Sequence, residues 1–338
     1  MIPSNWHLLS ETHELQAQVQ NFLRAWQQDL PFIFQSSGST GKPKSFQFTK
    51  DQLLTSAKAS TKALQLDKHT KALVCLPLTS VGGLLQLARA IHANFELFID
   101  LPTSRPLQNF DTAINFISMV PTQLQQSLKH EPLKLSGIEK ILIGGAPLEE
   151  NLIEACSNLS ISLIQSYGMT ETLSHVALRF IGNGVSAPFK AIEGVHFEQQ
   201  QNCLTIHYPA LLDAPLYTND LVNLIDEQHF EWLGRADFAI NSGGVKIIPE
   251  QLEKTLSSVL SHPFFVTSVP DDKWGSVVGL VIEGEAVDLG LDWAALGLVA
   301  AAVPKKIAFI AQFQRTQTLK IKRQETLANL TDASWRSL

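Results

Sequence analysis

Gln35-Ser36-Ser37-Gly38-Ser39-Thr40-Gly41-Lys42-Pro43-Lys44-Ser45 is the stretch around which the chain is organised. An apolar run, Leu30-Pro31-Phe32-Ile33-Phe34, leads into it, and Phe46-Gln47-Phe48-Thr49 leaves it with strand-like alternation. Four hydroxyl side chains fall within positions 36–40, accompanied by two glycines and two lysines. Glycines let backbone N–H groups approach an anion, hydroxyls add donors and lysines add charge. The stretch therefore reads as a phosphate-gripping loop between two strands, although a Gly/Ser cluster is more commonly a surface turn. It is not a Walker loop. That motif needs four residues between its first Gly and the Gly-Lys pair, whereas Gly38 and Gly41 are separated by two, and Pro43 takes the place of the Ser/Thr.

The 338 residues favour two domains. A hydrophobic share of 45% and a charged share of 17% suit a globular enzyme with a sizeable core. The net charge of −6 gives no electrostatic case for binding nucleic acid or an anionic membrane. Three scattered cysteines argue against a disulfide framework or zinc site and suit a reducing, cytoplasmic setting. No signal peptide is read at the N-terminus. The apolar stretch from Leu291 to Val303 is too short to span a bilayer.

Outward from the loop, residues 11–28 place Leu15, Val19, Phe22, Leu23 and Trp26 on one helical face, and residues 51–65 read as a second helix. Short apolar runs follow at 72–76, 95–99, 116–120, 140–143 and 161–165, each ending near Gly, Pro or Ser. Helix-compatible segments at 82–92, 122–129 and 148–157 alternate with them. This is an α/β layout with a largely parallel sheet, in which ligands bind outside the carboxyl ends of the strands. From about 190 the pieces shorten (203–207, 221–225, 230–233) and read as an antiparallel or barrel-like β module. Pro249-Glu250 opens a helix with Leu252, Leu256, Val259 and Leu260 on its buried side. Strands are expected within 264–269 and 277–282, and a last helix within 320–331. The expected division is a large domain over 1–234 and a small α+β domain over 235–338.

Three further segments carry chemistry. In Ser166-Tyr167-Gly168-Met169-Thr170-Glu171-Thr172 a Tyr beside a Gly can offer its ring to a planar base. Thr170 can donate to a phosphate, and Glu171 can hold a magnesium ion. A strand-to-helix turn capped by Thr170 or Thr172 explains the same letters equally well. Tyr217-Thr218-Asn219-Asp220 and Gly234-Arg235-Ala236-Asp237 supply a carboxylate and a guanidinium suited to ribose hydroxyls; by themselves they equally suit surface ion pairs. Arg315-Thr316-Gln317-Thr318-Leu319-Lys320-Ile321-Lys322-Arg323 taken alone is a basic, solvated run.

Together and in this order the segments resemble the adenylate-forming superfamily of acyl- and aryl-CoA ligases, luciferases and peptide-synthetase adenylation domains. The resemblance covers roughly residues 30–325. Tyr167 to Thr172 match its Tyr-Gly-Met-Thr-Glu-Thr signature, Asp220 its Thr-Gly-Asp element with Asn219 in place of Gly, and Gly234 to Asp237 its hinge. Gly243 to Glu253 and Pro270 to Gly275 match two further elements, and Lys320 the C-terminal catalytic lysine. Within the superfamily, the strings 119–124, 143–147 and 172–179 look most like o-succinylbenzoate–CoA ligases of menaquinone synthesis. Ser80 stands where the family often has His, Ser45 and Leu319 where it has Gly, and Gln314 where it has Pro. The family has a longer stretch before the phosphate loop, so a first subdomain is expected to be minimal or absent.

The resemblance implies that a carboxylate attacks the α-phosphate of ATP, and that the thiol of coenzyme A then takes the acyl group and releases AMP. It implies that Ser36, Ser37, Gly38, Ser39, Thr40, Gly41 and Lys44 hold the phosphates. Glu171 would hold magnesium, with Thr170 beside it. Gly144, Gly145 and Ala146 with Ser166, Tyr167 and Gly168 would flank adenine, while Asp220 and Arg235 would fix the ribose. Lys320 would serve adenylation. The small domain would turn about Asp237 and present the face carrying Lys246 to coenzyme A. Lys320→Ala should then abolish adenylation and spare transfer from preformed adenylate. His175, Arg179 and Ser80 are the candidates for the acyl pocket. Another acid–CoA ligase, a stand-alone adenylation enzyme and a non-catalytic nucleotide-binding relic stay open as alternatives.

Overall fold

The computed structural model describes residues 1–35, 44–182, 185–316 and 321–338, with the side chains of 185 and 186 left aside. Residues 36–43 of the expected phosphate loop and Lys320 lie outside the described residues. The strands that flank the loop are Phe32–Gln35 and Ser45–Phe48. They pair antiparallel, and Phe34 and Phe46 face each other across the ladder.

The short apolar runs form one side of a 13-stranded sheet. Its parallel part runs Trp6–Leu8, Glu96–Ile99, Lys71–Val74, Phe116–Met119, Lys140–Ile143 and Ser162–Met169. The middles of these strands are mostly apolar because both faces are covered. Alternate residues feed two cores. Ala72, Val74, Leu97, Ile99 and Ile164 pack with Leu15, Val19 and Phe22 of helix His13–Gln27, with Leu53 of helix Lys50–Leu64 and with Leu85 of helix Val81–Ala93. Leu73, Phe98, Ile117, Ile141 and Leu163 pack with Leu124, Leu135 and Ile153 of the helices Pro121–His130, Pro132–Ser136 and Glu150–Cys156. The chain leaves Lys71–Val74 toward Glu96–Ile99 on one side, and returns to Phe116–Met119 on the other. In such sheets ligands bind beyond the carboxyl ends of the strands, beside a switch point.

Beyond Met169 the same sheet continues antiparallel through Ser174–Gly182, Phe189–Ala191, His229–Arg235, Leu216–Asp226, Cys203–His207 and His196–Gln200. The short strands expected after residue 190 are therefore bonded directly to the α/β part. After Phe238 the chain enters separate small sheets. Phe264–Asp271, Gly275–Glu283, Lys306–Ile310 and Arg336–Ser337 form one, and Ile240–Ser242 with Val245–Ile247 another. Leu252 and Leu256 of helix Pro249–Leu256 pack there on Val266, Leu280 and Ile307. Val259 is exposed, against expectation, because the helix ends at Leu256, while Leu260 stays in the small core. Leu291, Trp293, Leu296 and Leu298 pack on this small core. Among the described residues no helix is long and apolar enough to cross a membrane.

Candidate active site

The Tyr-Gly-Met-Thr-Glu-Thr segment is a strand that reverses into another strand, not one that enters a helix. Strand Ser162–Met169 carries Ser166, Tyr167 and Gly168, and a single 3-10 turn, Thr170–Thr172, returns the chain into Ser174–Gly182. Thr172 holds the reversal. Its hydroxyl accepts from the Met169 N–H at 3.1 Å and lies 2.7 Å from the Ser174 carbonyl. Gly168 is required by close approach, since a Cβ there would lie 2.1 Å from the Ser174 carbonyl oxygen. Thr170 and Glu171 sit half-buried on the turn, and neither side chain has a hydrogen-bond or ion-pair partner among the described residues. Gly144, Gly145 and Ala146 leave the neighbouring strand. A Cβ on Gly144 would meet Ser166 Oγ at 2.8 Å, which places the two expected base-flanking segments side by side.

Asp220 is the hub of the second cluster. It is 5% exposed. The Tyr167 hydroxyl donates to its Oδ2 at 2.7 Å, and the Trp232 indole N–H donates to its Oδ1 at 3.1 Å. Arg235, directly opposite Asp220 across the ladder, holds Nη1 3.7 Å from Oδ1. Its Nε and Nη2 donate to Asp237 at 2.9 and 2.8 Å. The hydrogen bond to Asp237 is the largest influence raising the Arg235 pKa, so this cation stays charged. Burial, then the Asp220 charge, push the Tyr167 phenol well above its ordinary value and keep it a donor. The Tyr167 ring packs edge-on to Phe230 at 5.1 Å and tilted to Phe189 at 5.8 Å. Asp237 sits in the 3-10 turn Ala236–Phe238, between the large sheet and the small ones. Lys246 is exposed on strand Val245–Ile247 and has no hydrogen-bond partner among the described residues.

The acyl-pocket candidates separate. Ser80 caps helix Val81–Ala93, with its hydroxyl donating to the Pro77 carbonyl at 2.7 Å and accepting from the Gly83 N–H at 3.3 Å. Arg179 donates from Nε to Gln165 Oε1 at 2.8 Å and lies 5.0 Å from the Phe189 ring centre. His175 lies elsewhere, because the pairing register shifts between Tyr167 and Gly168, and the period of two that would align it with Arg179 is broken. It is buried against Arg89, a residue the sequence reading passed over.

Arg89 is 1% exposed on the inner face of helix Val81–Ala93. Its Nη1 donates to Gln86 Oε1 at 2.8 Å, while Nη2 lies 3.4 Å from both Ser174 Oγ and His175 Nδ1. No carboxylate faces it among the described residues, and burial pushes its pKa down to about 9. Arg89 Nε, Gln86 Nε2 and His175 Nε2 are buried without a hydrogen-bond partner. Burial, and next the Arg89 charge, hold the His175 imidazole well below its ordinary value. The signal in the sequence was a charged residue inside an apolar helical stripe, four positions from Leu85 and three from Gln86.

A family description, AMP-binding enzyme, matches residues 3–194. The 2-succinylbenzoate–CoA ligase of Bacillus cereus is 30% identical over 336 residues, covering 87% of this chain and 68% of that protein. That of Listeria monocytogenes is 28% identical with the same coverage. The chain thus spans about two thirds of the length of these curated relatives. Among solved structures, an acyl-CoA synthetase (AMP-forming)/AMP-acid ligase II-like protein from Dyadobacter fermentans is 35% identical with a TM-score of 0.63, covering 94% of this chain and 95% of that one. The o-succinylbenzoate CoA synthetase of Bacillus subtilis, in complex with the acyl-adenylate OSB-AMP, shares the fold with a TM-score of 0.73 at 24% identity, covering 88% and 69%. The matched profile covers more than half of the chain: the chain belongs to the AMP-binding enzyme family.

Proposed function

We propose that this protein is an AMP-forming acid–CoA ligase that activates o-succinylbenzoate with ATP and transfers the acyl group to coenzyme A. The observation that carries the substrate is Arg89. An unpaired buried cation costs several kcal/mol, about 3–5 kcal/mol when a partner is removed, so a fold that keeps one is poised for an anion. An aromatic acid with a second carboxylate on a flexible arm supplies that anion while its first carboxylate reacts. The neutral His175 and the amide of Gln86 add donors that have no other use.

In this reading a carboxylate oxygen of the acid attacks the α-phosphorus, the bond to pyrophosphate breaks, and pyrophosphate leaves with the electron pair. The thiol of coenzyme A then attacks the acyl carbon, loses its proton, and AMP leaves. Asp220 holds the ribose, Tyr167 and the 144–146 backbone bound the base, and Thr170 and Glu171 face the phosphates. Glu171 has the free carboxylate that a magnesium–nucleotide complex needs, and the ion supplies charge neutralisation at the phosphate oxygens. Lys320 and the loop 36–44 complete the phosphate site by resemblance. Residues 1–234 and 235–338 are assigned as the two domains, with Asp237 as the pivot between them.

The test is ATP–pyrophosphate exchange followed by CoA-dependent AMP release, with o-succinylbenzoate beside benzoate and fatty acids. The proposal expects turnover with o-succinylbenzoate at least tenfold above benzoate. Preference for a monocarboxylate would overturn the substrate, and absence of exchange with every acid would leave a nucleotide-binding protein without ligase activity.

A further inference from the structure

We infer that Trp232 is a positioning residue for the nucleotide: its indole N–H fixes the Asp220 carboxylate so that both oxygens meet a vicinal diol. The inference rests on the nucleotide reading above, and extends it to a residue for which sequence gave no role.

The geometry comes from a break in the sheet. Asp220 pairs with Arg235 and Leu221 with Gly234, but Val222 pairs with Trp232, so one strand carries an extra residue at this point. In a regular strand Trp232 and Arg235, three positions apart, would point to opposite faces. The irregularity brings both to Asp220, the indole at 3.1 Å and the guanidinium at 3.7 Å. Tyr167 then takes the other oxygen at 2.7 Å. Each carboxylate oxygen has two lone-pair sites. One on Oδ1 goes to Trp232 and one on Oδ2 to Tyr167, which leaves one on each oxygen. Two remaining acceptors, side by side in a carboxylate whose plane is fixed from both ends, match the two adjacent hydroxyls of a ribose. Arg235 cannot fix that plane by itself, since its close hydrogen bonds go to Asp237.

The remaining contacts of Trp232 do not explain the bond. The ring is half-buried and packs at the margin of the large core, which a phenyl ring would also satisfy. The N–H aimed at a buried carboxylate is the part that Phe lacks.

The test compares Trp232→Phe with the unaltered protein by calorimetric titration of AMP and 2′-deoxy-AMP, so no acid substrate is needed. The expected result is a fall of about tenfold in AMP affinity, the scale of a hydrogen bond to a charged group, with a smaller change for 2′-deoxy-AMP. Preference for the ribonucleotide therefore shrinks. With any acid that turns over, KM for ATP should rise in step, with kcat nearly unchanged. In an Asp220→Asn background the Trp232→Phe change should have little further effect. Equal losses for both nucleotides, an undiminished effect in the Asp220→Asn background, or unchanged AMP affinity would each overturn the inference. Absence of AMP binding by the unaltered protein would instead overturn the nucleotide reading on which it rests, and the inference with it. Failure of o-succinylbenzoate as a substrate leaves this test intact.

Discussion

Arg89 Nη2 and His175 Nδ1 lie 3.4 Å apart, both buried, with no carboxylate between them among the described residues. One comes from the helix between strands Lys71–Val74 and Glu96–Ile99, and the other from the strand that follows Thr170 and Glu171. The pair joins helix Val81–Ala93 to the strand that leaves the turn carrying Thr170 and Glu171.

Replacing Arg89 by Met keeps much of the apolar stem and removes the charge. If the guanidinium awaits the second carboxylate of the substrate, kcat/KM for o-succinylbenzoate should fall by about a hundredfold or more, while any activity with benzoate should change little. The same variant should be as stable as the parent, or about 1 kcal/mol more stable, because an uncompensated buried charge is gone. Steady-state kinetics with both acids, alongside urea unfolding, checks the two halves together. A marked loss of stability would make Arg89 a structural residue.

His175 gives a pH signature. Its imidazole is held below the unfolded-state value of about 6.5, chiefly by burial. The folded protein therefore binds fewer protons at this site than the unfolded chain. Stability should rise with pH from the depressed value up to about 6.5, level off above it, and decline as pH falls through that window. His175→Gln should flatten this part of the profile. Urea melts at half-unit intervals from pH 4.5 to 8 would show it, and identical profiles for the two proteins would contradict the assignment.

Gly168→Ala tests the turn under the nucleotide signature. The new methyl would overlap the Ser174 carbonyl and the His175 backbone, neither of which is the end of a flexible side chain. A loss of about 2–4 kcal/mol of stability is expected, in the range of overpacked or strained sites. Thermal unfolding in the absence of nucleotide separates this from a binding effect, and a loss below about 0.5 kcal/mol would mean that the reversal is pliable.

Much of the fold is legible in local pattern. The helices at 13–27, 50–64 and 81–93 carry their apolar stripes at helical spacing, and the parallel strands are continuous apolar runs because the sheet is covered on both faces. Several strands went unread, among them Trp6–Leu8, the nine-residue Ser174–Gly182, His196–Gln200, Lys306–Ile310 and Arg336–Ser337. The first has three residues and the last two, too few to show a period. The order of the motifs also gave the family, since each segment by itself had an ordinary explanation and their succession did not.

What the chain alone determined was the set of chemical parts: a Gly/Ser loop with two lysines, a Tyr-Gly-Met-Thr-Glu-Thr segment, Asp220, Arg235 and Lys320. What tertiary structure decided was which parts meet. Two register shifts, beside Gly168 and beside Val222, separate His175 from Arg179 and turn Trp232 toward Asp220. Packing of helix Val81–Ala93 against strand Ser174–Gly182 buries Arg89 beside His175, residues 86 positions apart in sequence. A period of two or of 3.6 describes a regular element. An extra residue that flips a face, and a contact across distant elements, obey no local period, so the Arg89–His175 and Trp232–Asp220 pairs become visible only once the sheet is assembled.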